Sequence, residues 1–193
     1  MNRPKHGVWL QTLLFVGLLG SCASHAPEPI SKMEMPEVWA TDEPDPGVDC
    51  GRVGGHFSNS GTGYTSDDIG LVDGRLDAML GVTMPSVRKP ESIKLNFNLV
   101  SGNVEFTFVG PFTPSFELVG TCSQGWVVGQ RELQNAYLGD GTNLDWSKRR
   151  IELSTSQEGF LLVHITLVAR YSVLGIFKDN DEWEAWFRFD RVH

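Results

Sequence analysis

The chain has 193 residues, of which 40% are hydrophobic and 21% charged, with a formal net charge of −8. That much apolar sequence can supply one domain with its own core. The acidic balance excludes the clustered Lys and Arg surface that nucleic acid demands, and offers no electrostatic attraction to anionic lipid.

Arg3 and Lys5 open the chain, and Val8 to Leu19 is apolar except for Gln11, Thr12 and Gly17. Gly20, Ser21 and Cys22 follow. Basic, apolar and small residues in that order make a secretory signal. The apolar run falls short of the roughly 20 residues that a helix needs to cross a bilayer. Leu19-Gly20-Ser21-Cys22 resembles the lipobox of bacterial lipoproteins. The resemblance implies that the Cys22 thiol receives diacylglycerol, that residues 1–21 are removed, and that the new amine is acylated. Several acyl chains anchor stably where a single one would not. Ala23 follows the cysteine in place of Asp, which in Gram-negative members implies the outer membrane. The expected location is therefore the cell outer membrane, lipid-anchored, with the domain facing the periplasm. Loss of residues 1–21 removes two basic residues and no acidic one, moving the formal charge to −10.

Residues 22–48 carry the lipidated cysteine and a tether, and residues 49–193 form the domain. Five of the ten prolines fall in 23–48, so this stretch reads as extended. Trp39 is its one large aromatic, placed either to dock on the domain or to stay in solvent. With Cys22 used for lipid, Cys50 and Cys122 remain, an even number in an oxidising compartment. A disulfide between them is expected, the alternative being two buried thiols. Zinc would need more ligands than these two cysteines provide.

The domain opens on "CGRVGGHFSNSG", Cys50 to Gly61. Gly55, Phe57, Asn59 and Gly61, followed by a short Leu-containing helix, resemble the start of small β-rich bacterial envelope lipoproteins. That resemblance implies a fold type and no reaction. Phe57 is expected to enter the core from a first strand, with Asn59 and Gly61 in the turn leaving it. A phosphate cradle is excluded, because the glycine spacing is wrong and no Lys follows. Ile69, Val72, Leu76, Met79 and Leu80 recur at helical spacing, after Asp67 or Asp68 as cap and before Gly81. Gly70 and Gly74 weaken that helix.

Period-2 alternation then dominates. Ile93, Leu95, Phe97 and Leu99 alternate with polar residues, Ser101-Gly102-Asn103 turns, and Val104, Phe106 and Phe108 alternate again, as a hairpin does. Gln130 to Leu138 is ambiguous and admits a short second helix. Ile151, Leu153 and Thr155 alternate, and Ser156 to Gly159 turns. Residues 160–177 are apolar enough to suggest a membrane span, but one parity is uniformly apolar, the other is mixed, and Arg170 would be costly in lipid. A long half-buried strand is predicted, then a turn at Lys178 to Asp181. Trp183, Ala185, Phe187 and Phe189 follow on an inward face, with Trp186 apolar on the polar parity. The whole predicts a mainly β fold: a single antiparallel β-sandwich or partly open barrel with one or two short helices.

No catalytic constellation is visible. His56 and His164 are far apart in sequence, and neither has the neighbouring Cys or His that a metal set requires. Ser58 and Ser60 lie outside any Gly-x-Ser-x-Gly elbow. Asp140 to Asp145 gathers oxygen donors, but lacks the spacing of a calcium loop and reads as a turn. No cofactor or metal is expected. Trp126, Trp146 and Trp186 have no assigned place; clustered and exposed, they would suggest sugar or peptide binding. The expected function is a non-enzymatic binding or assembly role in the envelope, through the lipid anchor and a protein partner. The alternative is a carrier of a small hydrophobic ligand in a β-barrel-like cavity.

Overall fold

The computed structural model describes residues 33–42, 49–66, 71–82, 89–111, 114–139, 142–173 and 177–193. Alternation becomes ten strands: β1 (Gly55–Thr65), β2 (Val72–Arg75), β3 (Ser92–Phe97), β4 (Val104–Val109), β5 (Ser115–Leu118), β6 (Gly120–Ser123), β7 (Trp126–Gly139), β8 (Thr142–Thr155), β9 (Leu161–Val173) and β10 (Phe177–Arg191). One short helix, α1 (Leu76–Met79), and 3-10 turns at Glu37–Asp42 and Cys50–Val53 complete the described elements. The strands form one antiparallel sheet in the order β5-β4-β3-β1-β10-β9-β8-β7-β6, with β2 beside β1.

The ladder does not close, yet its two ends, β5 and β6, are separated in the chain by Val119 alone. The sheet therefore curls until its edges meet. Leu118 of β5 lies so near Gly129 of β7 that a Cβ there would sit 2.6 Å from the leucine Cγ. The Arg131 guanidinium of β7 lies 4.6 Å from the Phe116 ring centre on β5. The expected mainly β fold is what forms, in its partly open barrel version rather than as two packed sheets.

Inward residues of the alternating strands fill the concave side. Phe57, Phe106, Phe108, Ile151, Leu153, Val163, Phe187 and Phe189 are all buried in one cluster. Each such side chain is worth about 1.5–3 kcal/mol relative to exposure. Gly61 and Gly63 face the rings of β10, and a Cβ on them would lie 2.5 Å from Phe189 Cδ1 and 2.3 Å from Phe187 Cδ1. Their lack of a side chain lets the aromatic rings lie against β1. A disulfide joins Cys50 to Cys122 across 72 residues, pinning the 3-10 turn at Cys50–Val53 to β6. In the chain-entropy account a loop of that length stabilises by about 4 kcal/mol.

Several expectations need correction. The helix is confined to Leu76–Met79, and Val72 lies in β2, because Val72 and Gly74 pair with Gly63 and Gly61 of β1. The proposed start at Asp67, Asp68 and Ile69 lies outside the described residues. Asn59 and Gly61 do not leave β1 in a turn: the strand continues through a register shift between Phe57 and Gly61. Buried Asn59 donates from Nδ2 to Pro90 O (2.9 Å) and accepts at Oδ1 from the Asp77 amide (2.9 Å), tying the bulge to α1. Gln130 to Leu138 is strand, since β8 supplies its ladder, and pairing overrides helix propensity. Lys178 to Asp181 is strand as well, paired with Ser172 to Ala169. The long strand expected within 160–177 does form, as β9 over residues 161–173.

Residues 33–42 are not extended either. Trp39 is 3% exposed and meets Tyr64 edge-on, with ring centres 5.3 Å apart. Of the two places open to Trp39, docking is the one taken. The signal segment and Cys22 lie outside the described residues.

Candidate functional site

Strand length creates the first candidate. β7 to β10 run 13 to 15 residues, whereas β3, β4 and β5 run 4 to 6. The long strands extend past the short ones. There a cleft of about 970 Å³ opens, walled by Val72, Met79, Ile165, Leu167, Trp183 and Phe187. That volume lies at the upper end of small-molecule sites, which are mostly apolar with a few placed polar groups.

The polar groups here are Thr65, Arg149 and the β2 residues Asp73 and Arg75. Arg75 is engaged by Asp77 (Nε to Oδ1 3.1 Å) and by Pro90 O. Arg149 Nη1 donates to Met79 O (2.8 Å) and Ala78 O (3.2 Å) at the end of α1, where Ala78 O also accepts from the Gly81 amide. Arg131 donates to Leu80 O beside it. Thr65 Oγ1 and Arg149 Nε are buried without any hydrogen-bond partner, as is Ser147 Oγ on the same inner face of β8. Burial, then the like charge of Arg131, pulls Arg149 below its ordinary pKa. Burial and then Asp181 push the nearby Tyr171 phenol up, against the pull of Arg149.

The second candidate lies on the convex face. Register places Glu152, His164 and Trp186 side by side on β8, β9 and β10. His164, 1% exposed, stands between two carboxylates: Nδ1 is 2.5 Å from Glu152 Oε2 and Nε2 is 2.8 Å from Glu184 Oε1. Arg150 Nη2 bonds Glu152 Oε1 at 2.6 Å. Ionised carboxylates only accept, so two ionised partners require an imidazole carrying both N–H groups. Burial pushes the Glu152 carboxyl up, but hydrogen bonds and charge from His164 and Arg150 outweigh it and hold the group below its usual range.

Aromatic rings roof this cluster. Trp186 stacks on the imidazole at 4.1 Å, and Trp126 meets Trp186 edge-on at 5.6 Å. Trp186 Nε1 donates to Met33 O (3.1 Å), so the segment before Trp39 seals the outer face. With both nitrogens on carboxylates, His164 has none to offer a nucleophile. The three groups also do not converge on a point, because the ring itself lies between the acids; among the described residues no set of His, Cys, Asp and Glu is placed to hold a metal.

His56 is not brought to His164; its Nε2 lies 2.7 Å from Ser92 Oγ across β1 and β3. Ser58 Oγ donates to Ser60 O at the bulge. Asp140 and Gly141 of the supposed turn lie outside the described residues. Trp126 and Trp186 form the roof, and Trp146 lies apart under Arg170 (5.9 Å). Sequence reasoning missed Glu152, Glu184 and Arg149 as members of sites. The usable signals were Trp186 on a polar parity and Arg149 on the parity of Ile151 and Leu153. Comparison with family models, curated proteins and solved structures finds no match.

Proposed function

We propose that the chain is a lipid-anchored outer-membrane protein whose periplasmic domain carries a small hydrophobic molecule, without catalysing a reaction on it. The observation that supports this reading is the cleft of about 970 Å³ at the overhanging end of the curled sheet. Most of its apolar walls belong to paired strands, Ile165 and Leu167 to β9 and Trp183 and Phe187 to β10. The lipobox at Cys22 supports the anchor. Intact mass beside a Cys22→Ala variant tests it: loss of residues 1–21 with added acyl mass is expected, and an unlipidated wild-type protein would overturn it. For the carrier, titration with the apolar dye N-phenylnaphthylamine should give saturable fluorescence, and Leu167→Arg should weaken it at least tenfold. Absence of saturation would overturn the carrier.

A second reading, docking of an envelope protein, is favoured by a separate observation. Leu99 and Val100 at the β3–β4 turn and Val119 at the adjoining corner are all exposed, Val100 to 97%. Gly102 and Gly120 bring the two turns together. Envelope crosslinking should give an adduct that Val100→Asp removes; a monomer alone would count against a partner.

A further inference from the structure

We propose that the ligand of the cleft is an amphiphile with an anionic head, carboxylate or phosphate, held at Arg149. This rests on the carrier reading and gives it a chemical class. Arg149 projects from the inner face of β8 into the cleft, beside the apolar Ile165, Leu167 and Phe187. Arg131 holds the paired position on β7, with its guanidinium over Phe116 and outside the lining of the cleft. Among the described residues neither has a carboxylate partner, although the chain is acidic and the neighbouring β8 cations Lys148 and Arg150 meet Glu132 and Glu152.

Capping of the α1 carbonyls uses only Nη1 of each arginine. Arg149 Nε stays buried and unpartnered, and so does Thr65 Oγ1 on the opposite wall of the cleft. A buried donor without an acceptor costs free energy, and native proteins keep few of them. An acceptor-rich anion entering the cleft would receive charge-assisted bonds once the Arg149 guanidinium turns its buried edge toward it, while its chain covers Leu167, Trp183 and Phe187. Asp73 lies exposed at the rim, and Arg75 there is already neutralised by Asp77. Asp181 faces Tyr171 and is exposed. The anion is thus directed inward to Arg149 and not to the rim.

The test uses the full chain and compares parinaric acid, a fluorescent fatty acid, with its methyl ester. A charge-assisted bond predicts that the acid binds at least about tenfold tighter than the ester. Arg149→Met should bring that ratio close to one, and Arg149→Lys should keep part of it. Competition by palmitate against lysophosphatidate then separates a fatty carboxylate from a lipid phosphate as the source. Equal binding of acid and ester by the wild type would overturn the anionic head while leaving the carrier standing. No binding of either, with no N-phenylnaphthylamine signal, would overturn both. Should Arg149→Met fail to fold, the wild-type ratio still decides the anionic head, and an Arg149→Lys ratio unchanged from wild type would overturn its seat at Arg149.

Discussion

Strands β8, β9 and β10 are buried on both faces, but by different means. On the concave face Ile151, Leu153, Val163, Ile165 and Phe187 meet other apolar side chains contributed by the same sheet. On the convex face Glu152, His164 and Glu184 are buried among themselves under Trp186, and the cover is the segment that precedes the domain. The inner face gains from transfer of apolar surface, which tolerates some change of shape. The outer face depends on mutual satisfaction of charges, which fails as a unit when one member is lost. A ligand is therefore accommodated on the inner face, where the overhang leaves apolar surface unfilled.

The largest expected effect breaks the outer face. His164→Leu removes the ring that bridges Glu152 and Glu184, takes a hydrogen-bond partner from each, and should cost about 3–5 kcal/mol. Urea denaturation measures it, and adding Glu184→Gln to His164→Leu should recover part of the loss. Leu153→Ala on the inner face should cost slightly less, about 3 kcal/mol, through transfer and cavity terms. The two losses should add within about 0.5 kcal/mol if the faces are independent, since neighbouring ladder positions send Leu153 and His164 to opposite faces of the sheet.

Acid sharpens the same contrast. The Glu152 carboxyl is held below its ordinary value of 4.5 in the folded state. Its contribution is complete above that ordinary value and is lost as pH falls through the lower folded value. Stability should therefore fall on acidification below about pH 4.5, and Glu152→Gln should flatten that part of the profile. The smallest effect concerns the cover. Trp39→Ala should move the global transition by only about 1 kcal/mol while raising amide exchange and protease cleavage around residues 33–42, as expected of a locally opening segment.

Much of the barrel was legible because strand parity is a local property. Phe57, Ile93, Phe106, Phe187 and Phe189 announce their burial by alternation alone, and the pairing of Cys50 with Cys122 followed from counting. Where local signals were mixed, neighbours decided. Val72 belongs to an apolar helical stripe in sequence, but β1 offered it a ladder. Gln130 to Leu138 has residues fit for a helix, but β8 lies alongside.

The candidate sites were hidden for a different reason. Glu152, His164 and Glu184 come together only through the register of three strands, which depends on hydrogen bonds between residues up to tens of positions apart. The cleft exists because four strands outlast the others, and strand length is set by partners as much as by sequence. Arg149 was visible as a charge on an apolar parity, but nothing in the linear pattern said whether an acid would meet it. Alternation, turn residues and cysteine count thus determined by themselves that this is a β domain with a staple and an apolar inner face, since each is a short-range constraint on the chain. Which charges pair, which stay unpaired and where the sheet leaves space were decided only by the tertiary structure, since each depends on what distant strands place opposite one another.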